Sequence, residues 1–385
     1  MNPVFAGLST TIFEVMSGLA RRHGAVNLGQ GFPDNPGPED VRAHAAQAVL
    51  HGSNQYPPML GLPELRAAVA EHYRAHQGLD LDPATEVFVT SGATEALAAA
   101  LFALISPGDE VIVFEPLYDL YVPIIRRAGG VPRIVTLRPP AFQFTREALE
   151  AELSDRTRLL LVNTPHNPAV VSFGAETLAL VAEVCVRRDL LVLSDEVWEH
   201  LVFDGRRHLP LMSAPGLRDR TVKVGSAGKI FSLTGWKVGW VCAAPPLAAA
   251  VAKAHQFLAF TTPPNLQSAV AYGLGKDLGW FTDMRAGYQR ARNRLATGLK
   301  QEGFAVLPSA GAYFLNIDLP GSGVDVDDET FCRRAVEEAG VAAIPVSAFY
   351  ERESVRTLVR LCFAKRDETL DLGVQRLATA RKLFR

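Results

Sequence analysis

Five short apolar runs recur between longer segments of helical periodicity, and this alternation restricts the fold more than any other feature of the chain. The runs are 86–90, 111–115, 158–163, 190–195 and 221–225. They are rich in Val, Leu and Ile on both faces, as strands inside a parallel sheet are. Between them, 94–105, 117–128 and 175–188 carry apolar residues at helical spacing, which suits helices laid on a sheet. Gly108, Gly129 and Gly130 punctuate the connections. The alternation predicts an α/β fold with a mainly parallel sheet between two layers of helices.

A second unit follows. A long charged helix is expected at 284–302, then a strand at 313–319, a helix at 327–339, a strand at 358–364 and a last helix at 368–384. The chain has 385 residues, too many for one ordinary core. The division expected is a large domain over 46–283, a small C-terminal α/β domain over 284–385, and an N-terminal segment, 1–45, that joins the small one. Residues up to about Val41 read as irregular, because Gly29 to Pro38 is dense in glycine and proline.

Charge and cysteine usage exclude several classes. The formal net charge is -2 and no basic stripe is present, so neither nucleic acid nor an acidic membrane is an expected partner. Cys185, Cys242, Cys332 and Cys362 form no CxxC pair and have no histidine at metal-ligand spacing. Free buried thiols and no metal are expected. The N-terminus lacks a signal-peptide pattern, and the longest apolar run, 96–105, is too short to span a bilayer. A cytoplasmic protein is expected.

Five motifs carry possible chemistry. Val89-Thr90-Ser91-Gly92-Ala93-Thr94 leads from a strand into a helix, where small residues let backbone N–H groups meet an anion; a merely capped helix start would look similar. Leu193-Ser194-Asp195-Glu196 ends a strand in two carboxylates, at the end where open parallel sheets bind ligands. Lys229 lies among small residues in Gly225-Ser226-Ala227-Gly228-Lys229, ahead of an aromatic-rich segment. A lone lysine is ordinarily a solvated charge, but desolvation there would make its amine easier to deprotonate. Asn163-Thr164-Pro165-His166-Asn167-Pro168 is a stiffened loop that fixes Asn167, or a simple turn. Arg360 interrupts the apolar run 358–363, so it needs a partner, either an internal acid or a ligand carboxylate.

In this order, from Asn27 to Leu370, the motifs resemble the class I, fold-type-I pyridoxal-phosphate aminotransferases. Within that family they resemble the kynurenine/glutamine transaminases and the bacterial methionine aminotransferases. Asn27-Leu28-Gly29-Gln30-Gly31-Phe32-Pro33-Asp34 and Thr234-Gly235-Trp236-Lys237-Val238-Gly239 carry the likeness further. The resemblance implies that Lys229 forms the Schiff base with pyridoxal 5′-phosphate and moves the proton, and that Asp195 pairs with the ring nitrogen. It gives Ala93, Thr94, Ser226 and Lys237 to the phosphate, Tyr118 to the ring face, and Asn167 to the 3′-oxygen. Arg360 would hold the substrate carboxylate, with Gly31 and Asn167. Tyr56 would reach the phosphate of a neighbouring subunit, which implies a homodimer with shared active sites. The sequence departs from the pattern at Trp198, where a tyrosine is usual near the 3′-oxygen; indole donates only.

The implied activity moves an amino group from an L-amino acid to a 2-oxo acid. No second arginine stands out for a distal carboxylate, and Phe13, Tyr56, Tyr118, Phe260 and Phe349 could build an apolar pocket. Methionine, glutamine or aromatic amino acids are therefore the expected donors. A carbon–sulfur β-lyase would use the same Lys229, Asp195 and Arg360. A non-catalytic cofactor-binding regulator would need a fused DNA-binding segment, and no such pattern is present.

Overall fold

The computed structural model describes residues 2–384. Its strands, in chain order, are β1 (Val26–Asn27), β2 (Val87–Thr90), β3 (Glu110–Glu115), β4 (Val131–Thr136), β5 (Thr157–Asn163), β6 (Leu191–Asp195), β7 (Thr221–Ser226) and β8 (Gly239–Ala243), then β9 (Ala305–Val306), β10 (Phe314–Asp318), β11 (Val341–Ala342), β12 (Ile344–Pro345) and β13 (Leu358–Cys362). Seven of them form one sheet in the order β2-β8-β7-β6-β5-β3-β4. All its pairings are parallel except those of β8, which runs antiparallel to both β2 and β7. This is the α/β architecture expected from the alternation, with β4 and β8 as additions. The β8 strand was hidden inside the segment that follows Lys229.

Side chains on β2 and β8 alternate between two apolar layers, as strand geometry requires. Phe88, Val241 and Ala243 join the larger core with the helix Gly92–Leu104. Val87, Val89, Trp240 and Cys242 join a second core on the other face, with Tyr73 and Phe231. Helices therefore cover both faces of the sheet. The four cysteines are buried and free.

The second unit is an antiparallel sheet, β12-β13-β10-β9, backed by the helices Asp328–Ala339 and Asp367–Lys382. The N-terminal segment joins this unit through a separate two-stranded sheet, in which β1 pairs in parallel with β11. Here the expectation of irregular structure before Val41 is corrected. Ile12–His23 is a helix that starts on the Thr11 side chain, which accepts from the Glu14 N–H, and ends at left-handed Gly24. It buries Met16, Leu19 and Ala20. The proline- and glycine-dense stretch is confined to the loop before the helix Glu39–His51. That helix packs on Pro264–Leu274 and runs unbroken through residue 45. The long helix Leu278–Gln301 likewise runs unbroken through residues 283 and 284, and packs on β9, β10 and the helix Asp367–Lys382. Among the described residues no helix is long and apolar enough to cross a membrane.

Candidate active site

Strand register brings the motifs together. Asn163, the last residue of β5, lies opposite Asp195, the last of β6. Ser226 ends β7 opposite Gly239, which also pairs with Thr90 at the end of β2. Four strand ends from distant parts of the chain therefore converge on one edge, where parallel sheets bind ligands. A cavity of about 220 Å³ opens there. Ala93, Thr94, Tyr118, Asn167, Asp195, Trp198, Ser226, Lys229 and Lys237 all line it.

One end of the cavity is built for an anion. The helix Gly92–Leu104 presents its N-terminus there, with Ala93 and Thr94 in its first turn. Close approach makes this possible: a Cβ on Gly239 would lie 2.7–2.8 Å from the backbone of Gly92 and Ala93. Lys237 adopts a left-handed backbone conformation and its Nζ lies 3.5 Å from the Thr94 hydroxyl. Ser226 adds a second hydroxyl.

The other end holds Asp195, which is buried. The Tyr121 hydroxyl donates to its Oδ2 at 2.6 Å, and the Val197 N–H to Oδ1 at 3.4 Å. Burial still pushes its pKa above the usual carboxylate value, and these bonds with Lys229 pull the other way. Lys229 sits between the two ends. Burial lowers its ammonium pKa to about 8, against smaller opposing effects that include Asp195. Its Nζ donates to the Tyr313 hydroxyl at 3.2 Å and lies 4.7 Å from the Trp198 ring centroid. Tyr118 is mostly buried, and burial pushes its phenol up to about 12.

Asn167 and Arg360 form the third part. The Asn167 N–H donates to Asn163 Oδ1 at 2.7 Å, which sets the loop on the end of β5. Arg360 on β13 is 1% exposed, and its Nη1 donates to Asn167 Oδ1 at 2.6 Å. Its guanidinium lies 3.9 Å from the Phe314 ring centroid and 5.2 and 5.0 Å from those of Phe13 and Phe349. No carboxylate pairs directly with Arg360 among the described residues; Asp119 acts on it only through longer-range attraction, and Nε is buried without a partner. The Gly31 carbonyl accepts from Tyr313, and a Cβ on Gly31 would lie 2.8 Å from Phe314. Tyr56 stands apart. It is 83% exposed, on the surface, with its ring 5.6 Å from that of Phe260.

Three residues here escaped the reading of the sequence. Tyr121 looked like one more apolar position of a helix, Tyr313 like the start of a strand, and Asn163 like the entry to a loop. Only the folded structure shows that the Tyr121 hydroxyl meets Asp195 and the Tyr313 hydroxyl meets Lys229. Behind the cavity, Glu196, Glu199 and His208 cluster closely enough to hold a metal ion. A cation is already present: the Lys223 ammonium bonds Glu199 at 2.8 Å and also Glu196. A larger cleft of about 650 Å³ lies between the 33–38 loop, the helix Leu278–Gln301 and residues 363–366. It shares no lining residue with the smaller cavity. Its Lys365 is already held by the Phe32 carbonyl and Asp34.

The arrangement has close counterparts. The model of the aminotransferase class I and II family matches residues 24–377. A probable N-succinyldiaminopimelate aminotransferase of Mycobacterium tuberculosis is 45% identical over 381 residues, covering 96% of each chain. The solved structure of the N-succinyldiaminopimelate aminotransferase from that organism has a TM-score of 0.96, covering 99% of this chain and 100% of that one. The methionine aminotransferase of Escherichia coli is 40% identical over 370 residues, covering 96% of each chain. Kynurenine–oxoglutarate transaminase 1 of Rattus norvegicus is 35% identical over 411 residues, covering 98% of this chain and 97% of its own. The chain is an enzyme of the class I and II aminotransferase family, related to the methionine and kynurenine transaminases, with the fold-type-I architecture of pyridoxal-phosphate transferases.

Proposed function

We propose that the enzyme moves an amino group from an L-amino acid of the methionine, glutamine or aromatic type to a 2-oxo acid, with pyridoxal 5′-phosphate held on Lys229. One observation carries this reading. A desolvated amine, Lys229, faces a cavity with an anion-binding helix end on one side and a buried carboxylate, Asp195, on the other. That donor set is complementary to a ring with a basic nitrogen, an aldehyde and a phosphate.

The residues divide the work. Ala93, Thr94, Ser226 and Lys237 would hold the phosphate, Tyr118 the ring face and Asn167 the 3′-oxygen. Asp195 would keep a proton on the ring nitrogen, since a buried carboxylate gains most by facing a cation. When bound, the cofactor supplies an electron sink for the pair released at the substrate Cα. Lys229 takes the Cα proton and returns it. With a pKa near 8, its amine is neutral in a useful fraction of molecules near neutral pH, as a general base requires. Arg360 holds the substrate carboxylate, and its unpaired Nε is the donor left for that task.

The apolar rings of Phe13 and Phe349 beside Arg360 favour a substrate side chain without charge. The outward-facing Tyr56 and Phe260 suit a homodimer whose copies complete each other's sites, acting in the cytoplasm.

The purified protein supplied with pyridoxal phosphate should show a near-ultraviolet or yellow absorbance band that Lys229→Ala abolishes and an amino donor shifts. A protein that stays colourless would overturn the cofactor reading. Steady-state rates on a panel of amino acids should favour methionine, glutamine or aromatic donors. The panel includes the substrate named for the mycobacterial relative, N-succinyldiaminopimelate. A strong preference for that compound, aspartate or glutamate would overturn the substrate reading alone.

A further inference from the structure

Two aromatic residues meet the Lys229 amine, and neither has a role in the mechanism above. Lys229 Nζ donates to the Tyr313 hydroxyl at 3.2 Å. That hydroxyl's own proton is committed, because it donates to the Gly31 carbonyl. Its oxygen therefore serves Lys229 as an acceptor only. Burial raises the phenol's pKa well above its ordinary value, so Tyr313 stays neutral and carries no charge into the site.

Trp198 supplies the other wall. The indole centroid is 4.7 Å from Lys229 Nζ, within the range at which a π-face attracts an ammonium. The Trp198 and Tyr313 rings pack edge to face, 4.4 Å apart at 82°. Phe314 braces both, 5.7 Å from Trp198 and 4.9 Å from Tyr313. All three are buried, so the corner they form is fixed by packing.

We propose that Tyr313 and Trp198 form the holding site for the ε-amine of Lys229 whenever that amine is free, Tyr313 as hydrogen-bond acceptor and Trp198 as the π-face for its charged form. The inference rests on the reading of Lys229 as the proton-carrying amine. An amine that takes a proton from one atom and delivers it to a neighbour needs a fixed position and a lone pair aimed into the cavity. Tyr313 takes one N–H and leaves the lone pair for the substrate. Because Tyr313 is also fastened to Gly31, the amine is tied to the loop expected beside the substrate carboxylate.

The test reads the amine directly. Enzyme saturated with pyridoxal phosphate is treated with an amino donor and desalted, which frees Lys229. Acetic anhydride labelling of that lysine is then followed against pH by mass spectrometry. Tyr313→Phe keeps the ring contacts and removes the acceptor. Its labelling midpoint should fall by roughly one pH unit, since the ammonium loses a stabilising partner. Its kcat should fall about 10-fold or more, with a smaller change in KM. Replacing Tyr313 by 3,5-difluorotyrosine weakens the acceptor without changing the packing, and should give a smaller shift in the same direction. Should Tyr313→Phe not fold, the fluorinated residue decides the matter alone. A midpoint and kcat equal to those of the parent enzyme, with the Lys229-dependent absorbance band intact, would overturn this inference and leave the proposed function standing. Absence of the band would overturn the proposed function itself.

Discussion

At the scale of single residues, Arg360 shows how far the site departs from what stability alone would select. It is 1% exposed, and burial lowers its pKa to about 10, so it remains charged at neutral pH. Its immediate surroundings are the rings of Phe314, Phe13 and Phe349, an amide oxygen and a distant carbonyl, with the Asp119 carboxylate acting on it without a direct bond. A cation so placed costs free energy until an anion arrives. Arg360→Met, of similar length and apolar, should therefore stabilise the ligand-free protein by about 1–3 kcal/mol. It should also lower kcat/KM on the order of 100-fold or more, through the lost two-point hold on a carboxylate. Calorimetry beside steady-state kinetics checks both. A variant that loses stability and activity together would make the guanidinium structural. Asp195, Lys229 and Arg360 were legible in the sequence for this same reason: each is a charge where an apolar residue would serve the fold better. Tyr121 and Tyr313 break no such rule, since a tyrosine is at home in a helix or strand, and their roles come from partners 74 and 84 residues away.

At the scale of elements, β2, β3, β5, β6 and β7 were legible because burial on both faces writes them as continuous apolar runs, whereas β4, an edge strand left mostly half-exposed, carries no such run. β8 and the helix Ile12–His23 were not, for opposite reasons. β8 begins at a glycine needed for close approach to Gly92, and the helix follows a run of small polar residues that reads as loop. Lys223 marks a further limit: it stands in β7, yet the register makes it the centre of a fully buried network. Glu196 also accepts from the Ser194 hydroxyl at 2.6 Å and the Leu211 N–H at 3.1 Å, and His208 lies at 2.6 Å. Glu199 accepts from Tyr73 at 3.0 Å and Gln77 at 2.6 Å. The network ties β7 and the segment after β6 to the helix Pro63–Gln77, directly behind Asp195. Lys223→Met would leave two carboxylates buried without their cation, and should cost about 3–5 kcal/mol in urea unfolding. Because the ammonium already occupies the place between the carboxylates, a chelator should leave the melting temperature of the parent protein unchanged. A drop on chelation would show that a metal, rather than Lys223, holds the cluster.

At the scale of the whole molecule, the balance of buried titratable groups sets how the protein meets acid. His72 and His166 are held neutral by burial, with pKa values lowered to about 3 and about 4, and His200 is lowered as well, by burial and by its histidine neighbours. His72 and His200 share one hydrogen bond, Nε2 to Nε2 at 2.7 Å, with His76 and Phe281 packed beside them. In the unfolded chain each imidazole protonates near its ordinary value of about 6.5. A histidine neutral in the fold therefore contributes stability that is full above about pH 6.5 and is lost as pH falls toward the folded value. For His166 alone the loss amounts to roughly 3 kcal/mol by pH 4. Asp328 works against this trend: burial raises its pKa to about 6, so its contribution is present in acid and lost as pH rises through 6. Asp195, also raised by burial, has the same sign. Between about pH 6.5 and 6 the histidines act before Asp328 regains its proton, and the descent should begin there. Below about pH 4.5 Glu196, lowered to about 2 by Lys223 and His208 against the effect of burial, adds to the loss. The histidines sit in separate places, His166 in the loop that positions Asn167 and the pair beside the helix Pro63–Gln77. Both places pack on the seven-stranded sheet, so protonation at either should unfold the large unit as a whole rather than one element. Melting temperatures from pH 7 to 5 should fall in a single cooperative transition, and His166→Asn should make the fall shallower. A melting temperature that stays flat over that range would show that the acid groups, not the histidines, control the balance.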